Sequence, residues 1–307
     1  MDVSAASGII VLDKPAGMSS AKAVAAVKRL LKARKLGHAG TLDPFATGVL
    51  VCCLNQATRL AQFFLHGPKK YHAVMHLGIE TDTQDVTGQV VASTATATLD
   101  SDRVVAIVRQ FEGAYWQQPP AYSALKLGGV PLYRYARAGH AIQKPPRRVE
   151  IGAIRILDIE LPFVRFEVDC SAGTYIRTLC ADIGRRLGCG GHLRELRRLA
   201  SGRFTIADAV TLPDLEVLTQ ENRVAQRIVA MADALPEIPG IVANKSLTHT
   251  VKHGKVVRKC DVSGGGAEGA QDLLKILDAR GNLLAILKID EGNEAFRYVC
   301  VFSPEAG

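Results

Sequence analysis

The chain lacks the marks of membrane, metal and redox chemistry. No apolar run reaches the roughly 20 residues that a membrane helix needs. The N-terminus lacks the charged-then-apolar order of a signal peptide. Both absences lead to the expectation of a soluble, cytoplasmic protein. Seven cysteines are present, Cys52, Cys53, Cys170, Cys180, Cys189, Cys260 and Cys300. No two are spaced Cys-x-x-Cys and no His cluster completes a zinc set, so no metal is expected. An odd number of thiols argues against a full disulfide framework and fits small core residues in a reducing compartment. There is no P-loop, so no phosphate donor is expected, and no other cofactor. No heptad or spare apolar stripe calls for a protein partner, and the expected state is a monomer.

Acidic residues are missing where basic ones gather. None lies between Asp13 and Asp43, while Lys14, Lys22, Lys28, Arg29, Lys32, Arg34 and Lys35 do. Residues 119–203 carry fifteen Lys or Arg against seven Asp or Glu, a surplus equal to the chain's net charge of +8. Such concentration suits a polyanion, and nucleic acid is the natural one.

The periodicity predicts a short buried strand at residues 9–12. A helix follows, capped by Ser19 or Ser20, with Ala23, Val24, Val27, Leu30 and Leu31 on one face. Strands are expected at 49–54, 71–77, 89–91, 149–157 and 164–170, with a polar loop at 81–88. Helices are expected at 102–111, at 174–187 before Gly188, and from 212 to about 234. Residues 117–148 hold five prolines, with Tyr122, Tyr133 and Tyr135 among the bases. They read as a long insertion suited to RNA contact. Residues 236–240 look like a linker, and 241–302 like a small β domain of short strands.

One loop stands out: Gly37-His38-Ala39-Gly40-Thr41-Leu42-Asp43-Pro44-Phe45-Ala46-Thr47-Gly48. Its glycines allow close approach of backbone or ligand. Pro44 pushes Asp43 toward an extended conformation, so a helix is not expected to run through it. On these residues alone, Asp-Pro in such a loop is ordinary turn chemistry.

The wording of the whole segment resembles the catalytic motif of the TruB family of tRNA pseudouridine synthases. Further segments agree, in the expected order: Asp13-Lys14-Pro15-Ala16-Gly17-Met18-Ser19-Ser20, Asn55-Gln56-Ala57-Thr58-Arg59-Leu60, Lys70-Tyr71, Gln118-Pro119-Pro120-Ala121-Tyr122-Ser123-Ala124-Leu125-Lys126, Cys170-Ser171-Ala172-Gly173-Thr174-Tyr175-Ile176-Arg177, Gly188-Cys189-Gly190-Gly191-His192 and Leu196-Arg197-Arg198. The resemblance covers residues 8–215.

It implies an α+β pseudouridine synthase fold, with a central, mostly antiparallel mixed sheet flanked by helices. The catalytic domain would span residues 1–235, with an RNA-gripping insertion at 117–148. A PUA-like RNA-binding domain would follow at 241–304. The implied reaction turns uridine 55 of the tRNA T-loop into pseudouridine, by base flipping and an Asp-dependent C-glycoside rearrangement. Asp43 would be the catalytic residue, acting covalently on sugar or base, or as a base at the ribose. Arg177 would pair with it, and Tyr71 would stack on the uracil and help remove the C5 proton. His38 would fill the gap left by the flipped base or stack on its neighbours, and Leu196 would line the apolar side of the pocket. Tyr122 would lie in the RNA-gripping insertion. Lys14, Arg59, Lys126, Arg147, Arg148, Arg197 and Arg198 would contact phosphates. Two other readings remain at this point: an RNA-binding protein with a dead site, and a guide-dependent synthase working inside a ribonucleoprotein.

Overall fold

Strands that are apolar at every position need cover on both faces, and residues 9–12 and 49–54 are two such stretches. In the computed structural model they lie side by side in one sheet. The structure describes residues 5–97, 99–123, 125–140, 142–262, 272–288 and 295–303.

The chain opens with β1 (Gly8–Lys14), α1 (Ser20–Leu30), β2 (Leu36–Ala39) and β3 (Thr47–Leu54). Then come α2 (Ala61–Leu65), β4 (Lys69–Leu77), the hairpin β5 (Ile79–Thr81) and β6 (Val90–Ser93), α3 (Ser101–Arg109) and β7 (Gly113–Gln117). The insertion folds as a small hairpin, β8 (Lys126–Leu127) and β9 (Val130–Pro131), followed by α4 (Leu132–Arg137). The sheet resumes with β10 (Arg147–Glu160) and β11 (Phe163–Cys170), then α5 (Ile176–Leu187), β12 (Gly191–Ser201), β13 (Phe204–Thr205), α6 (Leu212–Gln220) and β14 (Val229–Ala230). The main sheet runs β14-β1-β3-β12-β4-β11-β10-β7, with β2 added to β3 and β13 to β12. Pairing is antiparallel except for β12 on β3, where Arg197 and Arg198 lie beside Thr47 and Gly48. The sheet is thus mixed and mostly antiparallel, flanked by helices, as expected.

Alternation along β1 and β3 divides their apolar residues between two cores. Ile10, Leu12, Leu50, Cys52 and Leu54 lie against Ala23 and Val27 of α1 and Leu215 of α6. Ile9, Val11, Val49, Val51 and Cys53 face the other way, toward Phe64 and Phe204. A third core, around Tyr71, Ala73, Met75 and Phe166, is closed by Leu179 and Ile183 of α5. The seven cysteines are free thiols, and all but Cys260 are buried.

The C-terminal part carries β15 (Gly240–Val242), α7 (Lys245–Lys252), β16 (Leu273–Leu277), β17 (Leu283–Lys288) and β18 (Arg297–Val301), with a four-stranded sheet in the order β15-β16-β17-β18. It docks on the catalytic part: Leu283, Ile286, Cys300 and Phe302 join the core that contains Ile9 and Val51. Lys275 Nζ donates to the carbonyls of Ala232 (2.8 Å) and Leu235 (2.7 Å) across the junction.

Two expectations need correction. The helix from residue 212 stops at Gln220, because Asn222 adopts a left-handed φ of 57°, which ends helices. A short 3₁₀ turn, Val224–Arg227, and β14 follow. Residues 236–240 are not a free linker: Ile238 is buried, and the Pro239 carbonyl accepts from Lys275 N at 2.8 Å. Beside the strands of the C-terminal region, α7 starts where the Asn244 side chain accepts from Leu247 N at 2.8 Å.

Gly48 shows how tightly the parallel rung is built. Its φ is +99°, and a Cβ there would lie 2.2 Å from the Arg198 carbonyl oxygen. Gly48→Ala combines backbone strain with overpacking, and is expected to cost about 2–5 kcal/mol, read as a drop in the urea midpoint. An unchanged midpoint would show that this rung relaxes freely.

Candidate active site

The loop holding Asp43 is fastened by buried polar groups that use up its backbone carbonyls. Ser19 caps α1 by accepting from Lys22 N, while Ser20 faces the loop. Ser20 Oγ accepts from Leu42 N at 2.8 Å and donates to Leu42 O at 3.0 Å. Lys14 Nζ donates to Pro15 O (2.8 Å), Met18 O (2.7 Å) and Pro44 O (3.3 Å). The Arg198 guanidinium donates from Nε to Val49 O at 2.7 Å and from Nη2 to Gly40 O at 3.0 Å. These bonds set Asp43 rigidly at a turn while its side chain keeps a third of its surface open.

Arg177 rises from the first turn of α5 and is 3 % exposed. Its Nε lies 2.9 Å from Asp43 Oδ2, and Nη2 donates to Oδ1 at 3.4 Å. The rest of the fork is committed: Nη1 to Thr83 O and Nη2 to Tyr122 O, both 2.9 Å, with Asp85 Oδ2 3.4 Å from Nη1. Asp85 was not foreseen. It is buried, and its Oδ1 accepts from Thr83 Oγ1 (2.8 Å), Thr87 N (2.9 Å) and Thr87 Oγ1 (2.5 Å). The Thr-x-Asp-x-Thr spacing at 83–87, suited to side chains that bond nearby backbone, was the available signal.

Burial holds the Asp43 carboxyl above the usual carboxylate range. Arg177 and, more weakly, Lys14 work against that shift, whereas the Asp85 charge adds to it. Burial also pushes the Lys14 and Lys69 ammonium groups down to about 8.

Asp43, Arg177, Tyr71 and Leu196 meet in one cavity of about 360 Å³, within the roughly 300–1,000 Å³ of small-ligand sites. The strand register explains the meeting. Tyr71 on β4 lies opposite Arg198 on β12, and Leu196, two residues earlier on the same strand, shares the face of Arg198. Burial raises the Tyr71 phenol, while the nearby Arg198 charge works against that shift.

Several other candidates are committed to other partners or lie elsewhere. Lys14 and Arg198 are fully buried and bound to carbonyls, so neither has a cation free for a phosphate; both brace the loop instead. Arg197 points to the opposite face and grips Asp13 (Nη2–Oδ2 2.7 Å). Arg59 donates to the Val301 carbonyl and ties the turn after β3 to β18. Arg148 is exposed beside Glu150 at 3.7 Å. Tyr122 supplies its carbonyl to Arg177, and its hydroxyl reaches Asp82 at 3.4 Å. The Lys126 side chain lies outside the described residues. His38 sits on β2, opposite Cys52, and does not line the cavity. Its Nδ1 is buried without a partner, and burial followed by Arg198 keeps its pKa low. Among the described residues no cluster could hold a metal ion, and no helix is long and apolar enough to cross a membrane.

The mixed, mostly antiparallel sheet flanked by helices is a pseudouridine synthase fold, and solved structures share it. The fold is similar to that in a Cbf5-Nop10-Gar1 complex, with a TM-score of 0.75 and 30 % identity over 97 % of this chain and 85 % of that one. It is also similar to an H/ACA RNP bound to a substrate RNA containing 2′-deoxyuridine, with a TM-score of 0.73 and 29 % identity over 100 % and 87 %. The sequence narrows the class. Residues 28–176 match the TruB family pseudouridylate synthase N-terminal domain, and 177–235 the tRNA pseudouridylate synthase B C-terminal domain. The tRNA pseudouridine synthase B of Syntrophotalea carbinolica is 48 % identical over 234 residues, 76 % of each chain. That of Syntrophus aciditrophicus is 40 % identical over 97 % of this chain and 99 % of its own. The chain belongs to the TruB family of pseudouridylate synthases. The boundary between the two matched segments falls inside α5, and β12 of the second lies between β3 and β4 of the first, so the two segments share one sheet.

Proposed function

We propose that this chain isomerises uridine 55 in the T-loop of tRNA to pseudouridine. The observation that carries the reading is the Asp43–Arg177 pair facing, across one cavity, a tyrosine and an apolar wall. The relatives named above supply the tRNA substrate. The target base flips out of its stack and enters between Tyr71 and Leu196. Asp43 is the carboxylate that acts as the N1–C1′ bond breaks. The freed uracil turns, C5 bonds to C1′, the C5 proton leaves and N1 takes one up, so atoms and electrons balance without a cofactor. Tyr71 helps remove the C5 proton, passing its own phenolic proton on as it takes that one up, with the Arg198 charge beside it. His38 contacts the RNA around the vacated stack. The sheet at 241–304 acts as a PUA-like module beside the catalytic domain at 1–235, with Tyr122 and Lys126 in the gripping insertion at 117–148. The enzyme works in the cytoplasm as a monomer, without a protein partner.

Tritium release from C5-tritiated uridine in an unmodified tRNA transcript tests this. Release from the normal transcript, and none when cytidine replaces uridine 55, is expected. Equal release from both would overturn the position. No release from either, with tRNA still bound, would favour the binding-only or guide-dependent reading.

Tyr71→Phe keeps the ring and removes the oxygen. Single-turnover rate is expected to fall about 10²–10⁴-fold, the usual contribution of a positioned acid–base group, with tRNA affinity held. An unchanged rate would remove the hydroxyl from the reaction.

A further inference from the structure

Four cations line the cavity: Lys69, Arg147, Arg177 and Arg198. Three are spent. Lys69 donates to the carbonyls of Phe64 (3.3 Å), Leu65 (3.5 Å) and Gly67 (2.6 Å). Arg177 serves Asp43, Asp85 and two carbonyls, and Arg198 serves the Asp43 loop. Arg147 differs. Its Nε is buried with no hydrogen-bond partner, and among the described residues its guanidinium has no carboxylate or carbonyl partner. It stacks on the Tyr175 ring, 4.7 Å from Cζ to the centroid.

That platform is built rather than incidental. Gln117 is fully buried, and its side chain clamps the Tyr175 backbone from both sides, accepting from Tyr175 N at 2.8 Å and donating to Tyr175 O at 2.9 Å. Gln117 also lies directly opposite Arg147 in the β7–β10 ladder. Gly173 leaves space for the guanidinium, since a Cβ there would come within 3.2 Å of it. Ser123 Oγ, on a residue 3 % exposed, lines the same cavity and is also unpartnered. A buried donor without an acceptor is costly, since it has given up its bonds to water. A fold that keeps one such donor on a cation and another, Ser123 Oγ, in the same cavity is poised for an anion.

Resting on the reading above, we propose that Arg147 is the phosphate-receiving group of this cavity. Its guanidinium forks onto one of the two backbone phosphates flanking the flipped nucleotide, with Ser123 Oγ as a further donor. A planar guanidinium matches phosphate oxygens bidentately, and stacking on Tyr175 fixes its plane. Phosphate is the acidic group that RNA brings.

The test uses the full chain, Arg147→Met and Arg147→Lys, and a T-arm hairpin RNA with a methylphosphonate at either flanking position. Arg147→Met is expected to weaken hairpin binding about 10- to 100-fold, as for a lost charge-assisted contact, and to flatten the log–log salt dependence by about 0.7–0.9. One of the two methylphosphonates should weaken the wild type similarly and leave Arg147→Met unaffected. Arg147→Lys should restore the salt slope and part of the affinity. An unchanged slope in Arg147→Met, or full additivity of the substitution with both methylphosphonates, overturns the site. Should Arg147→Met fail to fold, wild-type indifference to both methylphosphonates overturns it as well. Tritium release by the wild type separates the two proposals: release with normal Arg147→Met binding sinks the phosphate site alone, and no release sinks the underlying reading.

Discussion

Asp43→Asn is expected to abolish tritium release, by about 10⁴-fold or more if the carboxylate does more than transfer a proton, while tRNA affinity stays within a few-fold. The Asn amide keeps the shape and loses the charge. Arg177 does not become an orphan, because Thr83 O, Tyr122 O and Asp85 still hold its fork. The fold should not suffer either. Burial raises the Asp43 carboxyl above its ordinary value, so the folded chain binds that proton more readily than the unfolded one. Ionisation therefore costs folding stability as pH rises through the raised value. Asn carries no such cost. The variant should melt at least as high as the wild type at pH 7, and the gap should close as pH falls below about 3.9, where the unfolded carboxyl is protonated too. Substantial release by Asp43→Asn would end the catalytic assignment. A clearly lower melting temperature at pH 7 would mark the Asp43–Arg177 pair as a structural ion pair.

Asp43 was legible through the family resemblance, which it could carry because the segment that resembles the catalytic motif is contiguous: the glycines, Pro44 and the apolar strand after them lie within 18 residues of chain, 37–54. The strands at 9–12 and 49–54 were legible for the same reason, since an unbroken apolar run is a local property that demands cover on two faces. What failed was the fate of individual cations. Lys14, Arg197 and Arg198 were expected to contact phosphates, yet the carbonyls and the carboxylate that absorb them come from residues 13–49 as the loop closes over β12. Arg59 is turned by Val301, 242 positions away. Arg147 alone among these looked like its neighbours and proved different, because only the packed cavity shows which cation lacks a partner. Asp85 hid in a polar loop for the converse reason: its partner Arg177 is distant in sequence, although its own Thr83 and Thr87 bonds are local.

Arg177→Met should be the most damaging substitution to fold and chemistry together. It removes a guanidinium that is 3 % exposed and leaves Thr83 O and Tyr122 O without their donor. Asp43 and Asp85 then face each other across the gap uncompensated. Breaking a buried pair in this way costs about 3–5 kcal/mol, read as a loss of unfolding midpoint. The catalytic consequence has a definite sign. Arg177 is the main influence holding the Asp43 carboxyl down against burial and against the Asp85 charge. Without it the carboxyl rises further, and a reaction that needs the ionised form loses rate at higher pH than the wild type does. The acidic limb of the single-turnover rate should therefore shift upward in Arg177→Met, while Arg177→Lys, which keeps a charge but loses the fork, should hold the limb near its wild-type position at a lower plateau. Rate at a permissive pH cannot make this distinction, because misplacement and misprotonation of Asp43 both lower it. The limb separates them: if it stays in place in Arg177→Met, with the variant still folded, Arg177 positions the loop and does not set the charge of Asp43.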